Sequence, residues 1–62
     1  MKTSEFIRQL KKQGIRLHSH ATNHDWYINP KNGNMSQIPR HSQKELGKGL
    51  ENEILKQLGL KQ

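Results

Sequence analysis

The sequence predicts a small α+β fold in which a helix, three antiparallel strands and a second helix follow one another. Apolar residues recur at helical spacing near both ends of the chain, shorter runs in the middle alternate apolar with polar, and an Asn-Gly pair between two of those runs marks a hairpin. One domain over residues 1–62 is expected, α-β-β-β-α, with both helices on one face of the three-stranded sheet and the other face open.

The first helix is read from "TSEFIRQLKKQG". Thr3 or Ser4 is placed to cap it, Glu5 sits in the first turn where the helix dipole favours an anion, and Gly14 ends it. Phe6, Ile7 and Leu10 share one side; Arg8, Lys11 and Lys12 share another. "IRLHS" alternates, so Ile15 and Leu17 are expected on one side of a strand and Arg16 and His18 on the other. In "HDWYIN" Trp26 and Ile28 have one parity and are the expected core residues, which leaves Tyr27 on the open side. "NPKNGN" is a turn, with Pro30 fixing φ and Asn32-Gly33 suited to positive φ. "MSQIP" is a third strand with Met35 or Ile38 inward and Pro39 at its end. After the polar "RHSQKELGKG", Leu50, Ile54, Leu55 and Leu58 form the apolar side of a helix closed by Gly59, and Leu60 can fold back onto its last turn. This order of elements is that of a double-stranded-RNA-binding domain, a likeness of topology alone.

With 29% hydrophobic residues and a mean hydropathy of −1.10, the 62-residue chain can bury only a modest core. It has no cysteine, so neither disulfides nor a thiolate zinc site can stabilise it. Eleven Lys and Arg stand against five Asp and Glu, a net charge of +6, which favours a polyanionic partner and nucleic acid first. No apolar run approaches the ~20 residues of a membrane span and no signal-peptide core is present, so the expectation is a cytoplasmic protein with no membrane partner.

The stretch from His18 to Ile28 carries three of the four histidines, the only Trp and the only Tyr. His18, His20 and His24 could in principle hold zinc, but His20 falls where the strand ends and only Asp25 offers a fourth ligand. No metal or other cofactor is expected. Catalysis suits these residues better. A histidine both accepts and donates protons near neutrality. RNA brings its own nucleophile, the 2′-OH, already beside the phosphorus, so a positioned imidazole and a few cations to steady the phosphate suffice. Tyr27 is a candidate stacking platform for an unpaired base. Arg16, Lys31, Arg40, Lys44 and Lys48, near strand ends and in the connection, are the candidate phosphate contacts, which bring affinity without sequence choice.

Four segments in order, "KKQG" at 11–14, "ATNH" at 21–24, "IPRH" at 38–41 and "ILKQLGL" at 54–60, resemble the HicA-type toxins, small bacterial mRNA interferases. The family shows a helix ending in glycine, a "G-S-H" or "G-S-x-H" signature opening the second strand, a Pro-His region after the third, and a C-terminal "I-L-K-Q" helix. Ala21 stands where the family has Gly, and Thr22, which keeps a hydroxyl, where it has Ser. The resemblance implies that His24 is the catalytic histidine and that Thr22, Asn23 and His41 lie along the RNA. It further implies mRNA as substrate, growth inhibition as outcome and a cognate HicB-type antitoxin as partner; the mechanism expected from the 2′-OH chemistry is metal-independent cleavage to a 2′,3′-cyclic phosphate. The rival readings are a non-catalytic basic module that holds RNA, a DNA-binding regulator, for which no helix-turn-helix pattern is present, and a zinc protein.

Overall fold

The computed structural model describes residues 1–40 and 43–60. Helix α1 spans Thr3–Lys12, strands β1, β2 and β3 span Arg16–His20, His24–Asn29 and Asn34–Pro39, and helix α2 spans Lys48–Gln57. The strands form one antiparallel sheet in sequence order, β1-β2-β3, as alternation and turn chemistry predict.

Both helices end in the same way. The Ile15 amide donates to the Leu10 carbonyl at 3.1 Å across Gly14, and the Leu60 amide donates to Leu55 at 2.9 Å across Gly59. Each glycine has positive φ, +92° and +74°, the left-handed residue such a terminus requires. Leu60 returns onto the core as its place beyond the glycine predicts. The start of α1 differs from expectation. Lys2 is the N-cap and makes no side-chain cap, while Thr3 lies inside the helix and is buried. Its hydroxyl donates to the Lys44 carbonyl at 3.0 Å, and its amide reaches the same carbonyl at 3.0 Å. Thr3 therefore fastens the incoming connection instead of capping its own helix. The Leu46 amide to Met1 carbonyl bond, 2.9 Å, and the Met1 amine between Glu45 and Glu51 hold the same connection down. The hydrogen bond from that amine to Glu45 raises its pKa above the usual range.

The core joins Phe6 and Leu10 of α1, Ile15, Tyr27, Ile38 and Leu46, Ile54 of α2 and Leu58 at its C-cap. Truncating a fully buried member such as Ile54 to Ala should cost about 2–5 kcal/mol. Along β2 the parity is the reverse of the sequence expectation. Tyr27 is only 6% exposed and faces the helices, with Asp25 and Asn29 on its side, while Trp26 and Ile28 are half-buried on the other face. The polar flanks of Tyr27 mislead a reading by hydrophobicity, yet each is satisfied: Asn29 Nδ2 donates to the Leu58 carbonyl at 2.9 Å, and Asp25 is bonded as described below. Tyr27 is accordingly no open stacking platform. On β3, Ile38 and Ser36 point inward and Met35 does not; the Ser36 hydroxyl donates to Gln57 Oε1 at 2.6 Å. Leu17 has the core-side parity but stays 45% exposed on the edge strand β1. Leu50, expected on the buried side of α2, is 44% exposed.

Candidate active site

The site is built at one end of the sheet, where β1 turns into β2. His20 pairs with Asp25, and the turn closes with the Ala21 amide donating to the His24 carbonyl at 2.8 Å. Between Leu17 and Ser19 the register slips by one residue, leaving His18 as the extra residue of a bulge. In an unbroken strand His20 would share His18's outward parity. The bulge turns it instead toward the side of Asp25. Its Nδ1 lies 2.8 Å from Asp25 Oδ1, with most of the ring in solvent.

Asp25 is the hub of this end. Its Oδ1 also accepts from Arg40 Nε at 3.1 Å and is ion-paired with Nη2 at 3.0 Å. The same guanidinium donates to the Ala21 carbonyl and, at 3.4 Å, to the His24 carbonyl. One buried carboxylate thus holds the end of β3 against both flanks of the turn that carries Thr22 and Asn23. The His20 hydrogen bond, and then Arg40, keep the Asp25 carboxyl below its usual pKa, so it remains an anion through the neutral range. Burial raises the Tyr27 phenol, which stays protonated there and cannot serve as a base.

His24 opens β2 opposite Pro39 and is half-buried. Among the described residues, no hydrogen bond reaches its ring. It lies where two hollows adjoin. One, of about 280 Å³, has Thr3, Lys44, Leu46 and Leu50 among its walls; the other, of about 240 Å³, runs along β3 and α2 past Gln37, Glu53 and Gln57. A part-exposed imidazole with a free nitrogen, a hollow in front of it and a lysine on the rim is equipped to take a proton from a bound hydroxyl beside a phosphate.

The sequence candidates divide between the two ends of the sheet. Thr22 and Asn23 are exposed in the turn before His24, and Asn23 and Lys44 line the first hollow with it. Arg40 is at this end too, with Nε and Nη2 engaged as above. Lys48 opens α2. Arg16 pairs with Ile28, and Lys31 sits in the β2–β3 turn, both toward the opposite end. His41 lies outside the described residues. His18, His20 and His24 are not gathered: His18 bonds Ser19, His20 bonds Asp25, and among the described residues no group of three His, Cys, Asp or Glu could hold a metal ion. Sequence reasoning passed over Leu46 and weighed Asp25 only as a fourth metal ligand; the signal for its role as hub was a carboxylate five residues after a histidine, with a bulge between that only structure displays. No helix among the described residues is long and apolar enough to cross a membrane.

Comparison with known proteins bears on this arrangement. A probable mRNA interferase HicA of Pseudomonas fluorescens (strain Pf0-1) is 44% identical over 61 residues, 98% of either chain. Probable mRNA interferase HicA 2 of Photorhabdus laumondii is also 44% identical, over 98% of this chain and all of that one. Among solved structures, a chain in the crystal structure of the E. coli HicAB toxin-antitoxin complex superposes with a TM-score of 0.84 at 40% identity, covering 97% of this chain and all of the other. Its α-β-β-β-α architecture is the one described here. The family model described as the HicA toxin of bacterial toxin-antitoxin systems matches residues 3–60, and the chain belongs to that family.

Proposed function

We propose that this protein is the mRNA interferase toxin of a HicA–HicB pair and that His24 is its catalytic base. The relatives named as mRNA interferases support the activity, and the neighbour solved as a HicAB complex supports an antitoxin partner. The observation that carries the residue assignment is the His24 ring: half-buried, unbonded among the described residues, at the junction of two hollows with Lys44 on the rim of one.

In the reaction, neutral His24 takes the proton of a ribose 2′-OH. The 2′-oxygen attacks the adjacent phosphorus, the bond from phosphorus to the 5′-oxygen breaks, and that oxygen leaves with a proton from water or from the imidazolium. The products are a 2′,3′-cyclic phosphate and a 5′-hydroxyl. Lys44, with Lys48 nearby in sequence, offsets charge building on the phosphate oxygens, and Thr22 and Asn23 offer hydrogen bonds to the flanking backbone. No metal ion enters these steps. Arg16 and Lys31, at the far end, attract the RNA and touch it where it extends along the sheet. The antitoxin should be acidic where it covers this +6 surface. The toxin acts in the cytoplasm, where its mRNA substrate is.

The test is cleavage of a labelled transcript in EDTA by the wild type and by His24→Ala. Cutting that ends at 2′-deoxy substitution of the scissile nucleotide and is lost in His24→Ala, with the circular dichroism melt unchanged, bears the reading out. Cleavage of an all-DNA strand, or full activity in His24→Ala, defeats it. A gel shift without cutting by the wild type would leave an RNA-holding module instead.

A further inference from the structure

Leu50 is an apolar side chain out of place. Its helical-spacing mates, Ile54 on α2 and Leu58 at the C-cap, are 1% and 0% exposed, yet Leu50 is 44% exposed. It lines both hollows that His24 lines, and Pro39 lies with them in both. The larger hollow adds Leu46, Thr3 and Asn23, and one residue of each charge, Lys44 and Glu45; Leu46, Leu50 and Pro39 give it an apolar wall.

The chemistry of the reaction says what this hollow can take. In-line displacement places the 2′-oxygen, phosphorus and 5′-oxygen on one line, and a continuously stacked strand does not hold them so. A nucleotide at the cut must leave its stack, and an unstacked base exposes two apolar faces to water unless the protein covers them. We infer that the hollow between His24 and Leu50 is a subsite for one unstacked nucleobase of the RNA, flanking the cleaved phosphate. The inference rests on His24 being the base that takes the ribose proton. A volume of about 280 Å³ falls just below the ~300–1,000 Å³ of sites for drug-sized ligands and suits a single ring system. Of the two charged residues that line it, Glu45 is paired with the Met1 amine at 2.6 Å, which leaves Lys44, with the net charge of +6, to match the phosphate that the base brings with it; this favours a nucleic-acid occupant over an apolar peptide. Leu50 is then the side chain that covers a base face.

The experiment uses short RNAs with a single cleavable ribose, all other sugars being 2′-deoxy, with the base either present or replaced by hydrogen on the nucleotide to each side of the scissile phosphate. Wild type is expected to lose about 10-fold in kcat/KM, equivalent to about 1.4 kcal/mol, when the base is missing at one of the two positions. Leu50→Ala is expected to lose a similar factor on intact RNA and nothing further on the abasic RNA, with an unchanged melt because Leu50 is outside the core. Equal cutting of intact and abasic RNA by wild type, or an equal loss on both by Leu50→Ala, overturns the subsite while leaving the role of His24 untouched. Activity that survives His24→Ala defeats the catalytic reading instead. A Leu50→Asp variant that keeps the wild-type rate and abasic ratio but no longer binds the antitoxin would assign the hollow to a protein side chain and overturn the inference.

Discussion

The two ends of the sheet are both built from polar side chains, and they use them to opposite effect. At the β2–β3 turn, Asn29 and Asn32 donate to the Leu58 carbonyl at 2.9 and 3.2 Å and so finish the C-terminus of α2. Their own side-chain oxygens accept from the Lys31 and Asn34 amides, and the Gly33 amide closes the turn on Asn29. These groups are neutral and are bonded to backbone. At the β1–β2 turn the groups are charged or titratable, Asp25, Arg40, His20 and His24, and the last of these has its ring unbonded among the described residues. A polar cluster turned wholly inward stabilises a fold. One that ends in a half-exposed, unengaged imidazole has a proton-accepting atom left for something else.

Removing that imidazole is the largest expected break between the ends. His24→Ala should lower transcript cleavage about 10²–10⁴-fold, the range for a positioned general base, and leave the melting temperature in place.

The next effect separates the hub from the base. Asp25→Asn keeps the shape of the side chain and removes the charge that Arg40 and His20 face. The turn before His24 then loses its tie to β3, and a displaced base costs roughly 10–100-fold in kcat with KM little changed. The same residue gives the site end a dependence on pH that the amide-built end lacks. The folded-state pKa of Asp25 is depressed, so its contribution to stability is fully present above the ordinary carboxylate value near 4 and is lost as pH falls below that value through the depressed one. Thermal melts between pH 5 and pH 3 should show wild type losing stability relative to Asp25→Asn as the pH falls. A constant difference down to pH 3 would mean that the carboxylate has no favoured partner in the folded chain.

At the structural end the effects belong to stability alone. Gly59 has φ +74°, and a Cβ there would come within 2.6 Å of Asn32 Nδ2, one of the two groups that finish α2. Gly59→Ala therefore combines backbone strain with a displaced hydrogen bond and should cost about 1–3 kcal/mol in denaturant unfolding. Asn29→Ala should fall in the same range, because it removes a buried donor from the Leu58 carbonyl. Specific activity per folded molecule should not change in either variant.

The contrast between the ends also marks what could be read in advance. The order of elements, the Asn-Gly turn and both helix-ending glycines were legible because each rests on local chemistry: periodicity, φ > 0, a missing Cβ. The resemblance of "ATNH" and its companion segments to HicA toxins singled out His24 before any geometry. The parity of β2 was not legible. It depends on Asp25 and Asn29 being satisfied when buried, through partners 15 and 29 residues away, and nothing local announces a distant carbonyl or guanidinium. The bulge at His18 was hidden for a similar reason, since a one-residue slip is a property of the strand pair and not of either strand. Leu50 fits the helical stripe perfectly well in sequence. Only the packing of α2 against β3 decides that the stripe's first member stands outside the core.

The smallest expected effect compares one lysine from each end. Lys44 lines the hollow beside His24, whereas Lys31 follows β2 at its far terminus. The six residues of β2 put roughly 17 Å between the two ends of that strand at ~3.3 Å per residue, about two Debye lengths at physiological salt. At that separation Lys31 cannot steady charge on the phosphate being cleaved; it can only neutralise a phosphate several nucleotides along. Lys44→Ala should therefore lower kcat as well as raise KM, while Lys31→Ala should raise KM only about two- to three-fold and leave kcat alone. Each should flatten the log–log dependence of binding on salt by about one phosphate's share if RNA runs the length of the sheet. A Lys31→Ala variant with an unaltered salt slope would confine the RNA to the His24 end. An effect on kcat equal to that of Lys44→Ala would mean that the two ends are not functionally distinct at all.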